Sequence, residues 1–177
     1  MSTTATRHLL SLPEVNAMTG ETFESTFGPL FEHSPWVACE TWPQRPFASR
    51  DDLFSRLVGT LRQAPLEKQI ALIAAHPDLA GRLAHTGQLT QESSREQSSA
   101  GLDRLASEEA RRFEEYNRGY LEKFGFPFVI CARLNDKKTI LDAFEQRLKL
   151  SREAEIETAL GEIEKIARLR LEPLMAA

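Results

Sequence analysis

Cysteines and long apolar runs are both scarce in this chain, and these shortages exclude several classes of protein. Two cysteines, Cys39 and Cys131, are too few for a disulfide scaffold and suit a reducing compartment. No apolar run approaches the roughly 20 residues that span a bilayer. The first residues lack the apolar core of a secretory signal, and the last three are not a peroxisomal signal. We therefore expect a soluble cytoplasmic protein.

Clustered positive charge is missing too. The 22 basic and 26 acidic residues give a net charge of −4, which does not indicate a nucleic-acid partner. Neither glycine-rich phosphate pattern, G-x-x-x-x-G-K or G-x-G-x-x-G, occurs. The four histidines form no H-x-x-x-H pair, and their spacing fits no common zinc site. We expect neither nucleic acid nor a metal to be bound.

Helical periodicity, in contrast, covers most of the chain. Apolar residues recur at helical spacing in segments 49–64, 65–76, 107–125, 135–149 and 151–171. Ser49 with Asp52, Ser107 and Ser151 are predicted to cap helices. The apolar stripe predicted for 107–125 consists of Phe113, Asn117, Tyr120, Leu121 and Phe124. Helices therefore dominate the predicted structure.

Two segments are less regular. Pro29, Pro35, Pro43 and Pro46 predict loops that join short helices in the N-terminal third. "FPFVICA", residues 126–132, has the composition of a buried strand, but a lone strand would have no partner for its backbone groups, so we predict an extended buried connection. The chain as a whole is predicted to be a single all-α domain over residues 1–177, with its core between about 8 and 172.

The helical segment "LTQESSREQSSAGL", residues 89–102, carries polar residues where apolar ones are expected. Ser93, Glu96 and Gln97 share one helical face, since they lie at i, i+3 and i+4. If that face is buried, it needs polar partners, because an unpaired buried carboxylate is very costly. The ordinary interpretation is a solvated face on a helix that buries Leu102 and Leu105 instead.

Three further residues are candidates for chemistry. His76 ends a helical segment before Pro77, where an imidazole can be aimed into a cleft as a proton donor or acceptor; the simpler interpretation is a histidine at the negative end of a helix dipole. Cys131 is a possible nucleophile, although a cysteine in an apolar run is usually a core residue. Arg168 is either paired with Glu164 on the surface or reserved for a carboxylate or urea-like group.

Four segments in order resemble one family. "AAHPDLAGRL", "LTQESSREQSSAGLDRL", "FGFPFVICARLNDKKTIL" and "EIEKIARLRL" are together similar to 2-oxo-4-hydroxy-4-carboxy-5-ureidoimidazoline (OHCU) decarboxylases, over residues 8 to 172. The resemblance implies an all-α, cofactor-free carboxy-lyase, commonly a homodimer. Its substrate is a small ureide, formed when hydroxyisourate is hydrolysed, and its product is S-allantoin, the end of urate oxidation.

The resemblance also implies site residues by motif. His76 resembles the catalytic proton donor, and Glu96 is expected to orient the imidazole or accept a substrate proton. Arg168 resembles a basic anchor. The substrate-binding residues implied are Pro77, Ser93, Ser94, Arg95, Glu96, Gln97, Ile130, Cys131, Ala132, Arg133, Leu134 and Arg168.

Two other functions stay open on the residues alone. Another lyase or a hydrolase acting on a related ureide would use the same scaffold. A helical interaction module without chemistry would suit charged faces such as "SEEARRFEEYNR", residues 107–118. It predicts no binding of allantoin-like ligands.

Overall fold

The structure is a computed structural model that describes residues 9–81 and 89–176. His8, His85 and the end of the "AAHPDLAGRL" motif lie outside these residues. The described residues form nine α-helices and no strand, which confirms the all-α prediction. The helices are α1 (Leu12–Ala17), α2 (Gly20–Phe27), α3 (Trp36–Thr41), α4 (Arg50–Gln63), α5 (Leu66–Ala74), α6 (Gln91–Ser99), α7 (Ser107–Phe124), α8 (Lys137–Arg147) and α9 (Arg152–Leu171).

The chain divides into two compact units. The first runs through Ala64 and includes the residues from Ala167 onward, and the second runs from Pro65 to Ile166. The prediction of one domain over residues 1–177 stays a prediction. No helix among the described residues is long and apolar enough to cross a membrane.

Side-chain caps set the helix starts in two of the three predicted places. Ser49 Oγ accepts the Asp52 N–H at 3.0 Å, and Ser151 Oγ accepts the Ala154 N–H at 3.2 Å. The third prediction is wrong by one residue, because Ser107 is the first helical residue and Ala106 precedes it. Ala106 has no side-chain acceptor, and its N–H donates instead to the Glu109 carboxylate at 2.9 Å.

The first unit has short helices at its start, as the prolines predict. Three phenylalanines, Phe23, Phe27 and Phe47, pack together in its core, with ring centroids 4.7 and 5.8 Å apart. The two ends of the unit meet where the Leu10 N–H donates to the Leu174 carbonyl at 2.9 Å. These contacts give the N-terminal helices a closed core of their own.

The second unit is built around aromatic rings. Phe113, Tyr120 and Phe124 from α7 are buried, as is Phe144 from α8, whereas Leu121 is 47% exposed. The predicted stripe of α7 is therefore correct except at Leu121. Tyr120 lies within 6.2 Å, centroid to centroid, of four other rings: Phe124, Phe126, Phe128 and Phe144.

The segment between α7 and α8 runs through this core as an extended connection. Residues 126–131 form no strand, and all six are buried. This confirms the predicted extended buried connection. A 3₁₀ turn, Ala132–Leu134, follows and leads to α8. The extended segment must therefore find partners for its backbone groups among side chains.

Candidate active site

His76 lies two residues beyond the end of α5 and is 8% exposed. Its Nδ1 is 2.9 Å from the Leu72 carbonyl oxygen. A carbonyl oxygen only accepts, so Nδ1 carries a hydrogen and donates it. In the neutral ring Nε2 is then the acceptor, and in the cation it becomes a donor. The Leu72 contact thus fixes the ring orientation and leaves Nε2 as the nitrogen that changes from acceptor to donor when the ring is protonated.

The turn after His76 is held by two buried amides. Gln97 Oε1 accepts the Ala80 N–H at 2.9 Å, and Gln97 Nε2 donates to the Asp78 carbonyl at 3.3 Å. Asn117 Nδ2 donates to the Leu79 carbonyl at 2.8 Å. Ala80 needs such support, since its φ of 50° lies in the left-handed region that alanine rarely adopts. The polar side chains on α6 and α7 therefore position the "HPDLA" turn.

Helix α6 buries the polar face in question. Ser93, Gln97 and Ala100 are 5–7% exposed, and Glu96 beside them is half-buried. Ser94 and Arg95 point away from this face and are exposed. Thr90 Oγ1 caps the helix by accepting the Ser93 N–H at 3.2 Å. The solvated-face interpretation is therefore wrong, although Leu102 is also buried at 3% exposure.

The predicted substrate-binding segment 130–134 lies against the same helix, α6. The 3₁₀ turn Ala132–Leu134 packs against α6. The pKa of the Cys131 thiol is raised, first by burial and next by the negative charge of Glu162, with a smaller contribution from Glu96. The turn that follows Cys131 packs against α6, the helix that carries Glu96. The structure thus brings residues 93–97 and 130–134 together, although Arg133 and Leu134 are exposed.

The raised pKa also decides how Cys131 is interpreted. A nucleophilic cysteine reacts as its thiolate, which a lowered pKa favours. Cys131 is 1% exposed and its pKa moves in the opposite direction. It is therefore a core residue, and Cys39 is an exposed free thiol. No three His, Cys, Asp or Glu side chains among residues 9–81 and 89–176 are grouped to hold a metal ion.

Arg168 belongs to the first unit, where it has an ion-pair partner. Its Nη2 is 2.5 Å from Asp51 Oδ1, and its guanidinium lies 5.0 Å from the centre of the Phe54 ring. Glu172 is a second, more distant partner at 4.0 Å. The side chain is 32% exposed, whereas that of Asp51 is 74% exposed. Such an exposed pair stabilises weakly, so the guanidinium can exchange this partner for another anion.

Sequence reasoning missed the residues that support the site from a distance. Glu162 on α9 accepts the Cys131 N–H at 2.8 Å, and Arg147 on α8 donates to the Val129 carbonyl at 2.8 Å. The local pattern of α9 does not predict a partner 31 residues away from Glu162, and that of α8 does not predict one 18 residues away from Arg147. The one available signal was that residues 126–132 are apolar and extended, with backbone groups that need partners.

The fold and the site define a class: an all-α protein whose second unit buries a histidine and joins the turn that follows it to the polar face of a neighbouring helix. Comparison with known proteins identifies the family within this class. The sequence profile of OHCU decarboxylases matches residues 16–172. The mouse 2-oxo-4-hydroxy-4-carboxy-5-ureidoimidazoline decarboxylase is 41% identical over 168 residues, which are 95% of this chain and 94% of that protein.

Two crystal structures have the same fold. An OHCU decarboxylase crystallised in the presence of (S)-allantoin superposes with a TM-score of 0.68 at 21% identity, covering 90% of this chain and 100% of that one. An (S)-allantoin synthase gives 0.71 at 24% identity, covering 94% of this chain, which spans 54% of that longer chain. The chain belongs to the OHCU decarboxylase family. The predicted resemblance and the predicted class of enzyme, a carboxy-lyase, are thereby confirmed.

Proposed function

We propose that this protein decarboxylates OHCU to S-allantoin, the last step of urate oxidation, without a cofactor. The observation that carries the proposal is the convergence in one unit of His76, the buried polar face of α6 and the segment 130–134. Gln97 joins the first two by its bonds to Ala80 and Asp78, and the 3₁₀ turn 132–134 of the third packs against α6. Membership of the family supplies the substrate.

The chemistry needs proton management and no external electron sink. When the C4–carboxylate bond breaks, its electron pair forms a C4=C5 double bond, and the electrons of the ring C=N move to nitrogen, which takes up a proton. The resulting enol loses its hydroxyl proton and gains a proton at C5. The net change is uptake of one proton and release of carbon dioxide. Delivery of the C5 proton to one face fixes the S configuration.

His76 is the residue we assign to this proton transfer. Because Leu72 holds Nδ1–H, only Nε2 can take the hydroxyl proton or deliver a proton to carbon. A ring fixed in this way presents one nitrogen to one face of the substrate. Stereochemical control then follows from the rigidity of the α5 end and of the turn that Pro77 begins.

The remaining residues bind and orient the substrate in this proposal. Glu96 orients the imidazolium or accepts the hydroxyl proton, and Ser93 and Gln97 face the ring amides. Backbone groups of 130–134 hold the ureido group, with Pro77, Ser94 and Arg95 at the edge of the site. For Arg168, the resemblance implies a basic anchor, and its exposed pair with Asp51 leaves the guanidinium able to bind another anion. The apolar wall formed by 126–130 disfavours the charged carboxylate relative to the less charged transition state.

A stereochemical experiment tests the reaction. OHCU is generated freshly from urate with urate oxidase and hydroxyisourate hydrolase, this protein is added, and circular dichroism is followed. Rapid accumulation of S-allantoin supports the proposal. Racemic product at the rate of the enzyme-free control, or a different product by mass spectrometry, would refute it and favour another ureide enzyme.

Ligand binding separates an enzyme from a helical interaction module. Allantoin that binds only the folded state must stabilise it and so raise the melting temperature. At 100 times the dissociation constant, the free energy of unfolding increases by about 2.7 kcal/mol. Hydantoin, which lacks the ureido arm, is the matched control and should stabilise less. An unchanged melting temperature with saturating allantoin would favour the interaction module.

We further propose that the protein is a cytoplasmic homodimer. The two free cysteines support a reducing compartment, and the family resemblance supports the dimer. Light scattering coupled to size-exclusion chromatography tests the assembly directly: a mass near 40 kDa, about twice the 20.0 kDa chain, is expected, and a 20.0 kDa species would contradict it.

A further inference from the structure

The segment that leads into 130–134 is extended and buried, yet no residue within 9–81 or 89–176 forms a strand beside it. Two of its backbone groups are satisfied by side chains from two helices of the same unit. Arg147 Nη1 donates to the Val129 carbonyl at 2.8 Å, with its guanidinium 4.2 Å from the centre of the Phe128 ring. Glu162 Oε2 accepts the Cys131 N–H at 2.8 Å. The Val129 carbonyl and the Cys131 N–H, two residues apart, are thus each held by a charged side chain.

Arg147 is itself part of a buried network. Its guanidinium donates to Glu155, which is fully buried and also accepts the Tyr120 hydroxyl. Burial and the bond to Glu155 raise the pKa of Tyr120, so the hydroxyl stays protonated and donating. Removing any member would leave a buried charge or polar group without its partner. Arg147 therefore serves the stability of the whole unit and is a poor probe of the site alone.

Glu162 is a more selective support. Its side chain is 12% exposed, and its two oxygens have separate tasks. Oε2 accepts the Cys131 N–H, while Oε1 lies 2.5 Å from Lys165 Nζ, whose side chain is 55% exposed. The ammonium offsets the cost of placing a carboxylate in a largely buried position. Lys165 therefore neutralises one oxygen, while the other accepts the backbone N–H of Cys131 in segment 130–134.

The position of Cys131 sets the position of the turn that follows. The Cys131 carbonyl accepts the Leu134 N–H at 3.0 Å and the Asn135 Nδ2–H at 2.9 Å, which close the 3₁₀ turn. That turn packs against α6, which carries Glu96. A change of the bond to Glu162 is therefore passed on to the spacing between the turn and the polar face of α6.

We propose that Glu162 is a positioning residue that holds the backbone of 130–134 in register with the polar face of α6. The inference rests on the proposed function, because it treats this segment as one wall of the ureide site. Glu162 acts through the segment and does not touch the substrate. Its loss should weaken binding of substrate and transition state alike, and so raise KM more than it lowers kcat.

Two conservative variants separate the reach of the side chain from its charge. Glu162→Gln keeps the length and an oxygen that can accept the Cys131 N–H, but has no charge. Glu162→Asp keeps the charge beside Lys165 but is one methylene too short for that bond. We expect a KM within about 3-fold of wild type for Gln and about 10-fold higher for Asp, with kcat within about 3-fold in both.

Amide exchange at Cys131 measures the bond itself. In a Cys39→Ser background, ¹⁵N-cysteine labelling gives a single cysteine amide, whose exchange with solvent is followed by NMR. Exchange should be slow in the wild-type sequence and in Glu162→Gln, and at least 10-fold faster in Glu162→Asp. Glu153→Ala, an exposed change at the start of the same helix, should alter neither exchange nor KM.

The outcomes separate the two proposals. Faster exchange and a higher KM in Glu162→Asp alone support the positioning role. Wild-type values in Asp, equal damage in both variants, or damage in Gln alone overturn it. If the unsubstituted protein forms no S-allantoin, the proposed function fails, and the exchange data still report whether Glu162 holds the segment.

Discussion

In the proposed mechanism His76 acts through a single nitrogen, Nε2, and this predicts how its replacement behaves. We expect His76→Ala to fold, since its Nδ1 bond is to a carbonyl at the end of α5 that also accepts the Ala75 N–H. Turnover should fall by about 10²- to 10⁴-fold, the usual contribution of a positioned acid–base group. Initial rates of S-allantoin formation measure this loss, and the melting temperature reports folding.

A second histidine provides the control for that variant. His33 is exposed, lies in the other unit and has a φ of 46°, which asparagine tolerates better than most residues. His33→Asn should keep wild-type turnover. If His76→Ala remains as active as His33→Asn, then His76 takes no part in the proton transfer.

Two glutamates on α6 differ by one turn and should differ in effect. Glu96 lies beside the buried Gln97 in the second half of the helix, whereas Glu92 is in its first turn. Glu96→Gln keeps the size of the side chain and removes its charge, so kcat should fall by about 10²-fold. Glu92→Gln should change kcat by less than about 3-fold, and equal losses would mean that the wrong face was assigned.

At the scale of elements, Gln97 connects α6 to the turn after α5. Gln97→Ala would leave the Ala80 N–H, in a buried residue with left-handed backbone, without its acceptor. An unsatisfied buried donor costs about 1–3 kcal/mol, and the displaced turn should also lower kcat. Urea unfolding and initial rates measure the two effects.

Gln91→Ala matches that variant on an exposed position of the same helix. It should change stability by less than about 0.5 kcal/mol. A stable, fully active Gln97→Ala would show that the turn keeps its shape without the amide.

Periodicity and caps were sufficient to predict the helices, because those signals are local. Ser49 and Ser151 cap where predicted, and the error at Ser107 arose because Glu109 satisfies the preceding N–H from within the helix. The partners of Glu162 and Arg147 were not predictable, since they join residues far apart in sequence. The polar stripe of α6 was compatible with either a solvated face or a buried site, and only the structure shows the burial and gives Gln97 its backbone partners.

At the scale of the whole molecule, four carboxylates with lowered pKa values make stability depend on acidity. A hydrogen bond to the Ala48 N–H lowers the pKa of Asp52, and one from the Thr139 N–H lowers that of Asp136. The Ser98 hydroxyl acts likewise on Asp103, and Lys137 on Glu109. All four are ionised more readily in the folded state than in the unfolded chain.

The sign of the effect follows from linkage. Because the folded pKa values lie below the unfolded ones of 3.8 and 4.5, the contribution is complete above the unfolded values. It is lost as the pH falls toward the folded values. The melting temperature should therefore be flat from pH 7 to about 5 and decrease below about 4.5. Asp136→Asn can still accept the Thr139 N–H but does not titrate, so its decrease should be shallower. A melting temperature that is constant down to pH 3 would contradict this reasoning, because the four bonds would then contribute equally with the carboxyls protonated.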